Sequence, residues 1–160
     1  DDYKKIYSKN SQGLRASARI LIQIILGFII ISIIYYKMPD KCPFCNDIEI
    51  IEKHGSVFAM KDNYPVTDGH HLIVPYRHTE NYFSMTKIER DDATKLIRVL
   101  KNKLEASDSS ITGFNIGMNS GESAGQTVMH SHIHLIPRRD GDTKKPRGGV
   151  RGVIPDKMSY

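Results

Sequence analysis

The chain has 160 residues, of which 39% are hydrophobic and 26% are charged. This is enough for one compact domain with a core, and it excludes a disordered chain. Two cysteines exclude a disulfide-rich scaffold. The net charge of +5 arises mostly in residues 1–37, where six Lys or Arg face two Asp, while the remaining residues carry 17 basic and 16 acidic side chains. This distribution excludes a broad nucleic-acid-binding face.

Residues 20–36 form an apolar stretch of 17 residues, flanked by Arg19 and Lys37. Its apolar side chains cover all sides of a helix, which favours a short membrane helix over a buried core helix. A cleaved signal peptide fits less well, because no small-residue cleavage site follows. Five Lys or Arg precede the stretch, so the positive-inside rule places residues 38–160 outside. That orientation conflicts with a reduced state of Cys42 and Cys45, because thiols stay reduced in the cytoplasm.

Residues 1–5 (Asp-Asp-Tyr-Lys-Lys) and 9–14 (Lys-Asn-Ser-Gln-Gly-Leu), followed by an apolar helix, resemble part of phospho-N-acetylmuramoyl-pentapeptide transferase. In that polytopic membrane enzyme, an Asp-Asp pair lies on a cytoplasmic loop before a membrane helix. One helix cannot rebuild a site made by many, so no transferase activity is expected. We therefore expect residues 1–37, with their candidate membrane segment, to be a fragment or fusion remnant. Residues 38–160 are expected to be the functional domain.

Residues 38–160 predict an α+β fold. Thr86 and Glu89 fit a capping box, and apolar residues then recur at helical spacing to about Ala106. Short apolar runs precede and follow this helix, and the first two flank a His-Gly turn as in a hairpin. Strands, one long helix and further strands indicate an antiparallel sheet. The predicted strands are residues 48–53, 56–61, 70–75, 111–118 and 128–136.

Three histidines alternate in the last predicted strand, at His130, His132 and His134. Because residues i, i+2 and i+4 of a strand share one face, the three side chains are expected to project together. A packing role does not account for three such residues. The pattern suits either a metal site or a histidine nucleophile with supporting acids.

The His-x-His-x-His pattern resembles the histidine triad (HIT) superfamily of nucleotide hydrolases and transferases. The resemblance extends over most of residues 38–137, and the tail resembles a bacterial subgroup described as diadenosine tetraphosphate hydrolase-like. It implies an antiparallel HIT fold with one long helix, and a homodimer. The motifs that carry it are residues 62–75 (Asp-Asn-Tyr-Pro through Gly-His-His-Leu-Ile-Val-Pro), 119–126 (Asn-Ser-Gly-Glu-Ser-Ala-Gly-Gln), 130–134 and 147–155.

The resemblance assigns roles to the histidines. His132 is implied to attack the α-phosphorus of a nucleoside phosphate and to form a nucleotidyl-histidine that water hydrolyses. The backbone carbonyl of His130 is implied to hold Nδ1–H of His132. His134 and His70 are implied to contact the phosphate and assist the leaving group. The neighbouring His71 is expected to face the other way and to be structural.

The resemblance also implies a nucleotide-binding set. Asp62 matches a residue that binds ribose hydroxyls, although an Asp at this position also suits a turn cap. Asn119, Gln126 and Thr127 match groups that contact phosphate or leaving group, although polar residues entering a strand have the same composition. Gly125 is expected to permit close approach of the backbone.

Cys42 and Cys45 form a C-x₂-C pair, which needs two further ligands to hold zinc in a tetrahedral site. A reduced, metal-free pair is the alternative. Relatives with this knuckle bind zinc through both cysteines, a histidine after the nucleotide-cradling strand and the first triad histidine. The resemblance thus implies a structural Zn²⁺ held by Cys42, Cys45, His78 and His130, which would also anchor the segment that aims His132.

Four functions stay open at this stage. The first is a hydrolase of dinucleoside polyphosphates or nucleoside phosphoramidates, and the second is a nucleotidyltransferase or phosphorylase of the same fold. The third is a zinc hydrolase that uses His130, His132 and His134 as ligands. The fourth is a non-catalytic nucleotide-binding module, tethered to a membrane if residues 20–36 insert. The first is the interpretation that the sequence favours, with the HIT domain in the cytoplasm.

Overall fold

A computed structural model describes residues 16–36 and 42–158. The chain divides into two compact units, residues 1–41 and 42–160, and each is treated by itself. The residues 1–14 that carry the transferase resemblance lie outside the described part, as do Lys37 and Met38.

In the first unit, helix α1 (Ala16–Tyr36) is longer than the apolar stretch that predicted it. Its 21 residues give a length of about 32 Å, close to the thickness of a bilayer's hydrocarbon core. None of the residues from Ala16 to Ile33 is buried in the structure. By length and composition this helix can span a membrane, and a signal sequence near an N-terminus has the same properties.

The second unit is built on a five-stranded antiparallel sheet. The strands lie in the order β1-β2-β3-β5-β4, so that β5 sits between β3 and β4. Helix α2 (Lys87–Ser107) follows the third strand and packs across β1, β2 and β3. The predicted α+β class, with one long helix and an antiparallel sheet, is confirmed. The strands are β1 (Glu52–His54), β2 (Val57–Lys61), β3 (His71–Pro75), β4 (Ile111–Gly117) and β5 (Ile133–Arg139).

The helix begins where its capping residues predict. The Thr86 side chain accepts from the Glu89 backbone N–H, and the Glu89 carboxylate accepts from the Thr86 backbone N–H. These reciprocal bonds satisfy two of the donors that a helix start leaves unpaired. From here, Leu96 and Leu100 turn toward the sheet and are almost fully buried.

Alternation along the strands gives the sheet two buried faces. Residues such as Ala59 and Ile73 pack under α2 with Leu96, whereas Phe58 and Leu72 form a second apolar cluster. Phe44, from the segment that precedes β1, closes this second cluster. Helix α2 therefore covers one face of the sheet, and the segment that contains Phe44 covers part of the other face.

The predicted strand over residues 128–136 is wrong in its first part. β5 begins at Ile133, and the segment before it is irregular. The backbone N–H of Ser131 donates to the Thr79 carbonyl, 2.6 Å away, rather than to a neighbouring strand. Only His134 of the three alternating histidines lies in the sheet, so the reason for a shared face does not apply to His130 and His132.

Candidate functional site

The two cysteines lie beside two histidines from distant parts of the chain. Cys42 and Cys45 sit on one turn, closed by a backbone hydrogen bond from Cys45 to Cys42. His130 Nδ1 lies 3.4 Å from the Sγ of Cys42 and 3.5 Å from that of Cys45. His78 Nδ1 lies 3.4 Å from the Sγ of Cys45. The four donor atoms all lie within 4.8 Å of one another.

These distances suit a tetrahedral ion. With Zn–S of about 2.3 Å and Zn–N of about 2.05 Å, a tetrahedron places sulfur and nitrogen about 3.5 Å apart. His130 Nε2 lies 2.9 Å from the Pro75 carbonyl, which only accepts, so Nε2 carries the proton and Nδ1 faces the thiols with a lone pair. Burial lowers the pKa of His130 to about 4 and keeps the imidazole neutral, as a ligand must be. The residues present therefore fit zinc.

The His132 ring is held by a hydrogen bond to the backbone and by a neighbouring aromatic ring. Its Nδ1 lies 2.8 Å from the backbone carbonyl of His130, within a buried part of the domain. Because a carbonyl only accepts, Nδ1 carries the proton and Nε2 keeps its lone pair. The Phe44 ring packs edge-on against His132, with centroids 5.2 Å apart. This arrangement fixes both the tautomer and the direction of the ring.

A second group joins His70, His134 and Asp62. His70 Nε2 lies 2.9 Å from His134 Nδ1, and the rings of His134 and His132 are 5.2 Å apart. The Asp62 carboxylate Oδ2 lies 3.3 Å from His70 Nδ1. Burial lowers the pKa of His134 to about 4 and also lowers the pKa of His70, against the opposing effect of the Asp62 charge. Both shifts favour the neutral form of the imidazole, and His134 is neutral at pH 7.

Asp62 serves the turn and the histidines with different oxygens. Its Oδ1 accepts from the Tyr64 backbone N–H, 2.9 Å away, as expected of a turn cap. Its Oδ2 faces His70 and, at 3.8 Å, His134. The turn role and a role in the site are therefore compatible. His71 points away from this group, is buried, and bonds to the Gly69 carbonyl through Nδ1.

The loop before the triad is held by the side chain of Gln126. Its amide oxygen accepts from Gly121 N–H, and its amide nitrogen donates to the carbonyls of Glu80 and Val128. Gln126 is buried, and these bonds show that it shapes the loop. The Asn119 amide donates to the Gly125 carbonyl. Thr127, beside Gln126 in the chain, is exposed.

Gly125 has a conformational reason to be glycine. Its φ is +85°, in the left-handed region that other residues rarely adopt. It ends a single turn of 3₁₀ helix (Glu122–Ala124), and its N–H donates to the Glu122 carbonyl. Packing within the protein is not the reason, because a Cβ built there comes no nearer than 3.7 Å to a neighbouring protein atom.

Two cavities flank the Lys61–Asn63 corner. One of about 200 Å³ is lined by the apolar residues Ile48, Ile51 and Met60 and by polar residues that include Asp47, Glu49 and Lys61. The other, of about 310 Å³, extends from Asp62 and His70 toward the end of helix α2. The predicted strand over residues 48–53 is wrong in its first part, because β1 begins at Glu52 and residues such as Ile48 and Ile51 line this cavity instead.

The three triad histidines do not form a common ligand set. Among the described residues, His130 groups with the cysteines and His134 groups with Asp62 and His70, while His132 joins neither group. The expectation of one shared face is therefore wrong for His130, because the irregular segment turns its side chain to the thiols. The arrangement disfavours the zinc hydrolase that would use all three as ligands.

The fold and this site define a histidine triad domain, in which the imidazole of His132 lies between the Cys42–Cys45 turn and the His70–His134 pair. Residues 45–141 match the HIT domain family, and the chain belongs to that family. An uncharacterised HIT-like protein of Saccharolobus solfataricus is 35% identical over 105 residues, covering 60% of this chain and 73% of that protein.

Two further relatives bear on the chemistry. A protein of Mycobacterium tuberculosis named AP-4-A phosphorylase is 36% identical over 98 residues, covering 58% of this chain and 48% of its own length. A zinc-bound histidine triad family protein from Mycobacterium smegmatis superposes with a TM-score of 0.61 at 27% identity, covering 68% of this chain and 82% of that one. The matched family region does not include residues 1–37, and their resemblance to the transferase is not supported.

Proposed function

We propose that this chain is a nucleotide hydrolase that acts on dinucleoside polyphosphates or nucleoside phosphoramidates through a nucleotidyl-histidine intermediate on His132. The observation that carries the proposal is the 2.8 Å contact between His132 Nδ1 and the carbonyl of His130. This contact leaves Nε2 unprotonated and oriented, as a nucleophile at neutral pH requires.

The reaction has two displacements at phosphorus. In the first, the Nε2 lone pair of His132 forms a bond to the α-phosphorus, and the bond to the leaving group breaks with its electron pair on that group. The imidazole becomes cationic, which the carbonyl of His130 stabilises through Nδ1–H. In the second, a water oxygen bonds to phosphorus, the P–N pair returns to Nε2, and the water proton is released.

His134 and His70 supply proton transfer and hydrogen bonding to the phosphate. The His134 ring lies beside that of His132, and the 2.9 Å contact between His70 and His134 holds these two as a pair. Their lowered pKa values belong to the protein without a bound anion, and a polyphosphate places negative charge next to them. A proton on Nε2 of His134 at that stage supplies a general acid for the leaving group.

The remaining residues bind the nucleotide in this proposal. Asp62 accepts from the ribose hydroxyls, and the base occupies the cavity that Ile48 and Met60 line together with polar residues such as Glu49. Asn119 and Thr127 contact the phosphates, with Gly125 offering its backbone. Gln126 contributes by holding the loop that presents them.

Zinc bound by Cys42, Cys45, His78 and His130 would be structural, because four protein ligands leave no position for an activated water. When bound, it supplies a cross-link that joins the N-terminal knuckle to the segment carrying the nucleophile. The His130 side chain then anchors the same residue whose carbonyl orients His132.

A phosphorylase or nucleotidyltransferase is the second candidate, favoured by the relative named AP-4-A phosphorylase. In that reaction phosphate or another acceptor replaces water in the second displacement, and the first displacement is unchanged. A module that binds nucleotide without turnover is the third. We further propose a cytoplasmic homodimer, membrane-associated if helix α1 inserts.

Product analysis with diadenosine tetraphosphate separates these functions. Hydrolysis through the α-phosphorus gives AMP and ATP, and the same reaction in phosphate gives ADP and ATP if phosphate is the acceptor. The 160-residue chain is compared with His132→Ala and with His54→Ala, a histidine at the end of β1 outside the site. We expect AMP and ATP, lost in His132→Ala and retained in His54→Ala.

Tight nucleotide binding with no product would favour the binding module. Turnover that persists in His132→Ala would refute the nucleophile. ADP formation that depends on phosphate would replace hydrolysis by phosphorolysis.

A further inference from the structure

The Nδ1 atom of His70 faces two groups with opposite requirements. The Val66 backbone N–H lies 3.3 Å away and can only donate to it. The Asp62 Oδ2 also lies 3.3 Å away and, as a carboxylate at neutral pH, can only accept from it. In neutral His70, Nδ1 either keeps a lone pair for Val66 or carries a proton for Asp62, and the two bonds exclude each other.

This choice passes to His134 through a single proton. His70 Nε2 and His134 Nδ1 are 2.9 Å apart, so one of the two nitrogens donates and the other accepts. If Asp62 holds His70, then His70 Nε2 accepts from His134 Nδ1–H, and Nε2 of His134 has no proton. If Val66 holds His70, then His70 Nε2–H donates to His134 Nδ1, and the proton of His134 is on Nε2.

In the second arrangement, Nε2 of neutral His134 carries a proton and can donate it. In the first arrangement, Nε2 of His134 has no proton to donate. The residue that selects between the arrangements is Asp62, which is also the proposed ribose ligand. Hydroxyls that donate to Oδ2 share that oxygen with His70 and weaken its bond to His70 Nδ1, which shifts the balance toward Val66 as the partner of His70 Nδ1.

We propose that Asp62 is a positioning residue that sets the tautomers of His70 and His134, and that ribose hydroxyls bound to Asp62 move the His134 proton from Nδ1 to Nε2. This inference rests on the proposed function for its substrate. It adds that the site selects nucleotides with free 2′ and 3′ hydroxyls in the chemical step as well as in binding. A residue that only bound ribose would select in binding alone.

The tautomers are read directly from the side-chain nitrogens. Long-range ¹H–¹⁵N spectra distinguish a protonated from a bare imidazole nitrogen, and the signals of His134 are identified by their loss in His134→Asn. The 160-residue chain is measured at pH 7.5 alone, with AMP, and with 2′,3′-dideoxy-AMP at saturating concentration. Asp62→Ala is measured alone, with Asp68→Ala as the matched carboxylate control from the same loop.

We expect the Nδ1–H tautomer of His134 in the free chain and with dideoxy-AMP, and the Nε2–H tautomer with AMP. Asp62→Ala should show Nε2–H without any ligand, and Asp68→Ala should behave like the parent chain. The same tautomer with AMP and dideoxy-AMP, or no change in Asp62→Ala, overturns the proposal. These spectra do not depend on turnover, so failure of the proposed hydrolysis remains distinguishable.

Kinetics give the matching split. The parent chain should turn over a dinucleotide lacking 2′ and 3′ hydroxyls with kcat at least about tenfold below that of the ribose substrate, within the range of general-acid effects. In Asp62→Ala the two kcat values should become equal while KM for the ribose substrate rises. A parent chain that separates the two substrates only in KM contradicts the switch.

Discussion

Arg77 joins the loop that carries His78 to the start of helix α2. Its Nε and Nη2 donate to the two oxygens of Glu89 at 2.9 and 2.8 Å, and Nη2 also donates to the Ser84 carbonyl. Glu89 is 4% exposed, and its carboxylate also accepts from Thr86. Arg77 therefore satisfies a buried carboxylate that keeps only its cap bond if the guanidinium is removed.

Arg77→Ala is expected to destabilise the domain by about 2 kcal/mol. Removing the partner of a buried charged acceptor costs about 1.5–3 kcal/mol, and the half-exposed Arg77 side chain places the value below that of a fully buried pair. The measurement is urea unfolding at pH 7 with zinc held constant. Lys87→Ala is the control, because Lys87 forms an exposed pair with Asp91 on the same helix turn and should cost under about 0.5 kcal/mol.

The Arg77 hydrogen bond is the largest cause that lowers the pKa of Glu89 below its ordinary value. A carboxylate with a lowered pKa adds stability above its unfolded pKa of 4.5 and loses it as pH falls through the native value. The gap between the parent chain and Arg77→Ala should therefore close in acid. Equal costs for Arg77→Ala and Lys87→Ala, or a gap that stays constant with pH, would refute this reasoning.

Three further outcomes are expected. Because the pKa of His134 is about 4 in the native chain, the unfolded chain binds a proton at this residue from about pH 6.5 downward while the native chain does not. Acidification to about pH 4 should therefore lower the free energy of unfolding by at most about 3 kcal/mol through this residue. In His134→Asn, the free energy of unfolding measured in urea should fall less steeply with acid. Cys45→Ser should lose stoichiometric zinc by elemental analysis, whereas unchanged zinc content would contradict the ligand set. Gly125→Ala should lower stability by about 1 kcal/mol through its positive φ, and Gly117→Ala, where a Cβ meets open space, should lower it less.

The sequence predicted the fold where local chemistry decides it. The capping box at Thr86 and Glu89 and the apolar spacing after it located helix α2, because both depend on neighbouring residues only. Short apolar runs bounded by turn residues located β2 and β3 for the same reason. The segment over residues 128–132 alternates equally well, but Ser131 bonds to Thr79, and this long-range contact has no local signature.

The candidate site shows the same limit. The motif resemblance named the two cysteines and two histidines whose donor atoms the structure brings together. It could not indicate that the Gln126 amide forms hydrogen bonds with the loop backbone, nor that Asp62 faces both His70 and His134. Both contacts depend on side-chain geometry. The separation of His130 from His134 likewise follows from the irregular segment before β5.

The central claim is that His132 carries the nucleotidyl group during the reaction. Rapid mixing of the 160-residue chain with diadenosine tetraphosphate, followed by alkaline denaturation and peptide mass spectrometry, tests it directly. The account predicts a peptide carrying AMP on His132 that forms before AMP is released and is absent in His132→Ala. AMP attached to another residue would contradict this claim. A burst of ATP in the first turnover with no AMP on His132 would also contradict it.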